Sequence, residues 1–287
     1  MNSMARLLCV HAHPDDEASK GASTVARYVA EGHEAYLVCA TGGEEGDVLN
    51  KAMDTPEVRA NLARIRADEL VRSVKAIGYD ELIWLGYRDS GMPDTPANAN
   101  PASFAQADLD EATGVLVAAV RRLRPHVIIT YSDDQQGYRH PDHLRVHDVS
   151  VLAFDRAGDP AWYPEAGEPW VPAKLYYSMW TRARMLAHHD MYSELGLKSP
   201  YDDKWFERPS LDHRITTRID VHDFYSVRRE ALLAHATQVD PTESFWFGLP
   251  DEAAARAYRW DDYILAESRV PTDVPETDLF AGIADGA

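Results

Sequence analysis

The sequence predicts an α/β protein with a mostly parallel sheet and helices on both faces. Three observations carry this. Short apolar runs alternate with amphipathic segments through the first 156 residues. The runs lack polar alternation, as strands buried on both faces do. The segments between them carry helix start and stop residues. The order β-α-β-α-β-α-β-α calls for a sheet covered on both sides.

Residues 7–10 (Leu-Leu-Cys-Val) form the first strand. The spacing then predicts a helix over 17–31. Ala22, Val25, Ala26 and Val29 lie on its apolar face, and Gly32 is its stop. Residues 35–39 read as a second buried strand. It runs into a glycine-rich acidic loop at 41–47. That loop lacks the GxxxxGK[ST] spacing, and its carboxylates would repel phosphate. It is either the rim of an active site or a plain surface loop.

Thr55-Pro56-Glu57 opens the next helix, with a cap, a proline at the first position and an acid in the first turn. Leu62, Ile65, Leu70, Val74 and Ile77 are its buried stripe, and Gly78 ends it. Residues 82–85 make the third strand. An irregular connection rich in Pro, Asn and Ala covers 93–102. Asp108 and Glu111 form a capping box, with Asp in place of Ser or Thr. The helix they open stops before Pro125. Residues 126–131 are the fourth strand, and 144–154 the helix after it.

In the common strand order 3-2-1-4 the first and fourth strands are neighbours. Ligands bind in the crevice beyond their carboxyl ends. Residues 1–156 therefore form a Rossmann-like core. Beyond it the rhythm changes. Residues 157–172 hold Gly, Pro and Trp and no long element. Residues 175–179 and 215–221 read as strands and 224–235 as a helix. The Trp/Phe group at 245–247 and the acidic tail show no pattern. Residues 157–287 thus form a C-terminal α+β extension, within the same domain or as a small subdomain. It builds a lid or substrate wall, or is purely structural.

Composition narrows the function classes. With 47 acidic against 29 basic residues, the net charge is −18. Nucleic acid and anionic membrane surfaces both call for a basic face. No apolar stretch approaches the roughly 20 residues of a membrane span. The start of the chain is too short in apolar residues for a signal peptide, so a cytoplasmic protein is expected. Cys9 and Cys39 lie in predicted strands without CxxC spacing and read as buried thiols.

Two clusters carry chemistry. His11-Ala12-His13-Pro14-Asp15-Asp16-Glu17 stands directly behind the first strand. Tyr138-Arg139-His140-Pro141-Asp142-His143 repeats the His-Pro-Asp unit behind the fourth. One such unit is an ordinary turn. Two at the same crevice point to a shared metal site, and the N/O ligand mixture suits Zn²⁺, with Fe²⁺ also fitting. His13 and Asp16 can bind from one turn and His143 from the neighbouring loop, leaving an open position. One of Asp15 and Asp16 is then a ligand and the other a general base, and the residues alone leave their order open. His140 can stabilise an oxyanion or protonate a leaving amine. Asp142 fixes its tautomer or caps the following helix. Tyr138 can add a second donor. His11 reads as structural, and His188, His189 and His213 as surface or polar-core residues. The implied reaction class is metal-assisted hydrolysis of an acyl or amide bond.

These motifs resemble those of the PIG-L/LmbE-like zinc N-deacetylases, strongly from the first strand to about Val151 and more loosely beyond. Residues 16–22 (DEASKGA), 41–44 (TGGE), 87–92 (YRDSGM) and 278–282 (DLFAG) support the likeness. The resemblance implies that His13, Asp16 and His143 bind zinc and that Asp15 is the general base. It implies His140 as acid or oxyanion partner, oriented by Asp142, with Tyr138 donating to the oxyanion. It also implies a small-molecule substrate, because Arg66 and Asp89 match positions that hold a glucosaminyl-inositol group.

Within the family the likeness is greatest to the mycothiol-pathway members. It points first to an amidase activity on a mycothiol S-conjugate, and second to deacetylation of N-acetylglucosaminyl-inositol. Lys20 stands where the deacetylase branch has a small or neutral residue, which favours the amidase branch. Ala18 departs from the usual Ser with little expected consequence. Arg66, beside its helix's apolar stripe, can offer a fork of donors to sugar hydroxyls or be a solvated surface residue. Lys20 opens the first helix, where a cation opposes the dipole. A non-catalytic metal or sugar binder is disfavoured because every catalytic position is filled. A dinucleotide enzyme is disfavoured because no GxGxxG follows the first strand.

Overall fold

A computed structural model of the chain describes residues 4–135 and 137–284. Its strands are β1 (Arg6–His11), β2 (Glu34–Thr41), β3 (Glu81–Tyr87), β4 (Val127–Thr130), β5 (Lys174–Met179), β6 (Thr217–Asp220) and β7 (Trp260–Ser268). Among the described residues they form one sheet in the order β3-β2-β1-β4-β5-β7-β6. The first five strands pair in parallel. β7 is antiparallel to both β5 and β6. The expected 3-2-1-4 order is present, and residues 157–287 continue the same sheet with three more strands.

The helices are α1 (Asp16–Ser19), α2 (Ala22–Ala30), α3 (Pro56–Ala60), α4 (Leu62–Ile77), α5 (Leu109–Leu123), α6 (Pro141–Arg156), α7 (Arg182–Glu194), α8 (Asp203–Glu207), α9 (Tyr225–Ala234), α10 (Ser244–Phe247) and α11 (Asp251–Ala257). Alternation along β1 explains why both faces are dry. Leu7 and Cys9 pack with Val25, Leu70 and Leu232 on the side of α2, α4 and α9. Leu8 and Val10 pack with Leu116, Val120 and Val149 on the side of α5 and α6. A third cluster, with Met191, Tyr192, Tyr201, Leu249 and Ala254, belongs to the C-terminal third.

Three local expectations are corrected. The helix expected over 17–31 is two helices, because Gly21 takes φ 100° between them. A side chain there would also press on the Tyr263 hydroxyl at 3.0 Å. Lys20 is consequently the C-cap of α1, its N–H donating to Asp16 O, so it ends a helix rather than opening one. The helix expected from Thr55 divides at Asn61, although Thr55 caps its first part by accepting the Val58 N–H at 3.2 Å. The helix expected at 144 begins at Pro141 with His140 as its N-cap. Asp142 is therefore inside the first turn and is not the cap.

The tail is anchored. Tyr28 donates to Asp278 Oδ1 at 3.0 Å and accepts the Leu279 N–H at 2.7 Å. Cys9 and Cys39 are buried free thiols. No helix among the described residues is long and apolar enough to cross a membrane.

Candidate active site

β1 ends at His11, and the chain turns through Pro14 into α1. At that turn Asp15 takes φ 113°, a region that a non-glycine residue enters only under constraint. Two buried groups supply the constraint. Glu17 Oε2 accepts the Asp15 N–H at 2.9 Å. Arg66 donates to Pro14 O at 2.6 Å and to Asp15 Oδ2 at 3.1 Å. Adjacent carboxylates therefore diverge. Asp16 turns inward with a side chain 4% exposed, while that of Asp15 stays 31% exposed.

Asp16 Oδ2 lies 3.5 Å from His13 Nδ1 and 3.4 Å from His143 Nε2. The three residues offer ligand atoms within 4.8 Å of one another. Zinc–ligand bonds of about 2.0–2.2 Å in a tetrahedral shell set ligand–ligand edges of about 3.3–3.6 Å. Both measured separations fall in that range, so the donor set fits a divalent ion with a position left open. A second grouping joins His13 with Asp89, His140 and Asp142. It is a poorer site, since His13 Nε2 already donates to Asp142 Oδ2 at 3.1 Å. That bond is the usual outer support of a metal-binding histidine.

Asp142 differs from expectation in one respect. Its carboxylate accepts from His13 Nε2, Ser90 N and Ser90 Oγ, and not from His140. Its backbone N–H, by contrast, donates to His140 Nδ1 at 3.2 Å. His140 is thereby left with its hydrogen on Nε2, so Asp142 does orient His140, but through its peptide.

Charge follows this geometry. Burial pushes the Asp16 carboxyl up, but Lys20, with Nζ at 2.5 Å, and His143 hold it well below the usual range. Burial raises the Asp15 carboxyl against the pull of Arg66. Burial depresses His143 to about 4, leaving it neutral as a ligand must be. His140 is lowered by burial and then by the charge on His13. Burial alone would depress His13 too, but hydrogen bonds to Asp142, Asp16 and Asp89 carry it well above 6.5, so a metal ion bound there would have to displace a proton from His13.

Arg66 is not a solvated surface residue, and it does not offer its fork outward. It is 3% exposed, and it also donates to Gly43 O at 2.5 Å. A Cβ on Gly43 or Gly46 would overlap its guanidinium, which explains these two glycines of the 41–47 loop. Asp89 is 3% exposed and accepts from Gly91 N at 2.8 Å and Glu45 N at 3.2 Å. Its Oδ1 is 3.6 Å from His13 Nε2. Tyr138 is 56% exposed, its ring 5.3 Å from that of His143 and 5.9 Å from that of His140.

Sequence reasoning missed four residues. Tyr131 donates to Asp16 Oδ2 at 2.6 Å and stacks on His143 at 4.2 Å. Ser90 holds Asp142. Ser73 donates to Glu17 Oε1, and His235 Nε2 lies 2.6 Å from the same oxygen. Tyr131 carried a signal as a tyrosine at the end of the fourth strand, and Ser90 lies in the 87–92 stretch that supports the family likeness. His11 is fully buried and neutral, depressed to about 4 by burial, with its ring 5.7 Å from Tyr131. His189 lies against Ser199 Oγ at 2.9 Å.

The fold and the buried His/Asp cluster mark out an α/β protein whose crevice could hold a metal ion. Residues 8–154 match the PIG-L family, described as GlcNAc-PI de-N-acetylase. The chain is 42% identical to the mycothiol S-conjugate amidase of Streptomyces coelicolor, covering 100% of both chains. It is 40% identical to the 1D-myo-inositol 2-acetamido-2-deoxy-alpha-D-glucopyranoside deacetylase of Streptomyces avermitilis, over 97% of each. Its fold is similar to that of N,N'-diacetylchitobiose deacetylase from Pyrococcus horikoshii, with a TM-score of 0.63 and 16% identity over 91% of this chain and 83% of that one. The chain belongs to the PIG-L family and is an enzyme that hydrolyses an amide C–N bond.

Proposed function

We propose that this enzyme is a metal-dependent amidase cleaving the amide of mycothiol S-conjugates to a mercapturic acid and glucosaminyl-inositol, a detoxification reaction. The observation that carries amide hydrolysis is the divergence of two adjacent carboxylates, Asp16 into the ligand set and Asp15 beside it. The substrate rests on the full-length likeness to the S. coelicolor amidase and on Lys20 beside Asp16. Deacetylation of N-acetylglucosaminyl-inositol is the second reading, favoured by the S. avermitilis relative.

His13, Asp16 and His143 would hold Zn²⁺, and Fe²⁺ suits the same N/O donors. Such an ion supplies Lewis acidity and a water of lowered pKa. Asp15, fixed by Arg66 and raised by burial, takes the proton of the attacking water. His140 directs its Nε2–H at the oxyanion, and the proton taken up by Asp15 passes on to the leaving amine. Tyr138, at the mouth, adds a second donor. Lys20, and Asp89 behind His13, border the substrate. A cytoplasmic location fits a small-molecule thiol conjugate and the free thiols of Cys9 and Cys39.

Equal amounts of a mycothiol S-conjugate and N-acetylglucosaminyl-inositol, given to the metal-loaded enzyme and followed by mass spectrometry, test the reading. Faster cleavage of the conjugate, abolished by chelator, is expected; faster acetate release would overturn it. Asp15→Asn is expected to lose about 10²–10⁴-fold in rate while keeping its metal.

A further inference from the structure

His235-Ala236-Thr237-Gln238 follows α9 as one turn, closed by the Gln238 and Val239 N–H groups on His235 O, each at 2.9 Å. The turn contributes nothing to the His/Asp cluster, yet His235, Thr237 and Gln238 are all buried. Buried polar groups on a turn call for partners. Here the partners lead to two places, the turn that carries Asp15 and the loop at 41–50.

His235 Nε2 donates to Glu17 Oε1 at 2.6 Å, and the other oxygen of Glu17 accepts the Asp15 N–H at 2.9 Å. Thr237 donates its N–H and its hydroxyl to the two oxygens of Glu69, at 2.8 and 2.6 Å. Glu69 stands on α4, three residues after Arg66 and four before Ser73, so all three share one buried face of that helix. Ser73 returns to Glu17, and Arg66 to the Asp15 carboxylate. The hydrogen bonds thus close a ring from Asp15 through Glu17, the 235–238 turn and α4 back to Asp15. The turn's carbonyls hold the loop as well. Leu49 N and Asn50 N donate to Thr237 O at 2.9 and 3.2 Å, and Asn50 Nδ2 to Ala236 O at 2.8 Å. Gln238 Nε2 donates to Asp47 O at 3.0 Å. That loop supplies Gly43 O, a further acceptor of Arg66.

We propose that the 235–238 turn is a positioning strap for the base, and that His235 is its principal residue. Through Glu17 it fixes the Asp15 backbone, and through Glu69 and residues 47–50 it fixes both neighbours of Arg66. The inference rests on the assignment of Asp15 as the base. Apolar residues of similar volume would hold α9 to α4 about as firmly as buried polar ones. What hydrogen bonds add is a set direction for each group. Asp15 needs one, because bonds and not backbone preference keep it at φ 113°. A base displaced by about 1 Å loses about 10²-fold in rate.

The test uses the metal-loaded enzyme on whichever of the two substrates above it cleaves faster. His235→Leu is expected to lower kcat about 10²-fold with KM and metal content unchanged. His235→Gln keeps a side-chain N–H for Glu17 and should restore most of that rate. On an Asp15→Asn background His235→Leu should cost no further rate, because no base remains to be displaced. Thr237→Val loses the hydroxyl on Glu69 and keeps the N–H; it should lower kcat in the same way by a smaller factor, and it replaces His235→Leu if that variant does not fold. An unchanged kcat, a loss that comes with raised KM or lost metal, or a loss repeated in full on the Asp15→Asn background overturns the strap and leaves the base assignment standing. A wild-type rate in Asp15→Asn alone overturns the base assignment, and the strap with it.

Discussion

His235 and Glu17 lie 218 positions apart and meet at 2.6 Å with both side chains buried. Glu17 also accepts from Ser73 Oγ at 2.5 Å and from Asp15 N at 2.9 Å. His235→Leu removes the imidazole and leaves the carboxylate buried with two neutral donors. Breaking one half of a buried pair costs about 3–5 kcal/mol. The two remaining hydrogen bonds place this case at the lower end, about 3 kcal/mol, or roughly 6–12 °C in Tm. The loss should depend on pH. Burial works against a charged His235, but Glu17 raises its pKa above 6.5. Its contribution is therefore complete below 6.5 and fades as pH rises through the raised value. Burial pushes Glu17 up, but His235 and Ser73 lower it below 4.5. That contribution is complete above 4.5 and fades as pH falls through the lowered value. The stability gap between wild type and variant, from urea unfolding at a series of pH values, should be widest between pH 4.5 and 6.5. The double variant Glu17→Gln/His235→Leu should recover most of the loss. A gap under about 1 kcal/mol, or one flat with pH, would refute the reasoning.

Two further outcomes follow from the hydrogen bonds around the cluster. Asp142→Asn places an amide against the two donors of Ser90 and weakens the support of His13. Metal affinity, measured by competition with a chelating dye, should fall about 10–100-fold; an unchanged value would mean that His13 needs no such support. Arg66→Lys keeps the charge and loses the fork on Gly43, Pro14 and Asp15. A misplaced base costs about 10²-fold, so kcat should drop with KM unmoved, whereas a raised KM at constant kcat would restore the sugar-binding role.

The sheet was legible because each strand announces itself locally. Residues 7–10 and 127–129 are continuous apolar runs, and the capped helices between them leave little freedom of topology. His13, Asp16 and His143 were legible because they crowd two short stretches at the ends of neighbouring strands. What failed has a common cause. A side chain at Gly21 would meet Tyr263, 242 positions on, and Arg66 is buried against a loop some twenty residues earlier. His235 is a lone histidine until α9 brings it to Glu17. Asp142 orients its sequence neighbour His140 through its peptide, but its carboxylate reaches His13, 129 positions away. No local pattern encodes contacts of that range.

The turn at Asp15 decides why two adjacent aspartates can do different work. In a helix, neighbouring side chains sit about 100° apart, and both would share the cluster's side of α1. At φ 113° Asp15 leaves the helical path, so its carboxylate goes to Arg66 while Asp16 goes to His13 and His143. Such a backbone costs about 1–3 kcal/mol, and the bonds from Arg66 and to Glu17 offset it. Asparagine tolerates left-handed backbone better than other substitutes except glycine. Asp15→Asn should therefore keep the turn, the divergence and the metal while removing the base. A rate loss in that variant, at full metal content and unchanged Tm, reads the proton transfer itself. A loss accompanied by a falling metal content would instead mean that the Asp15 charge helps to hold the ion.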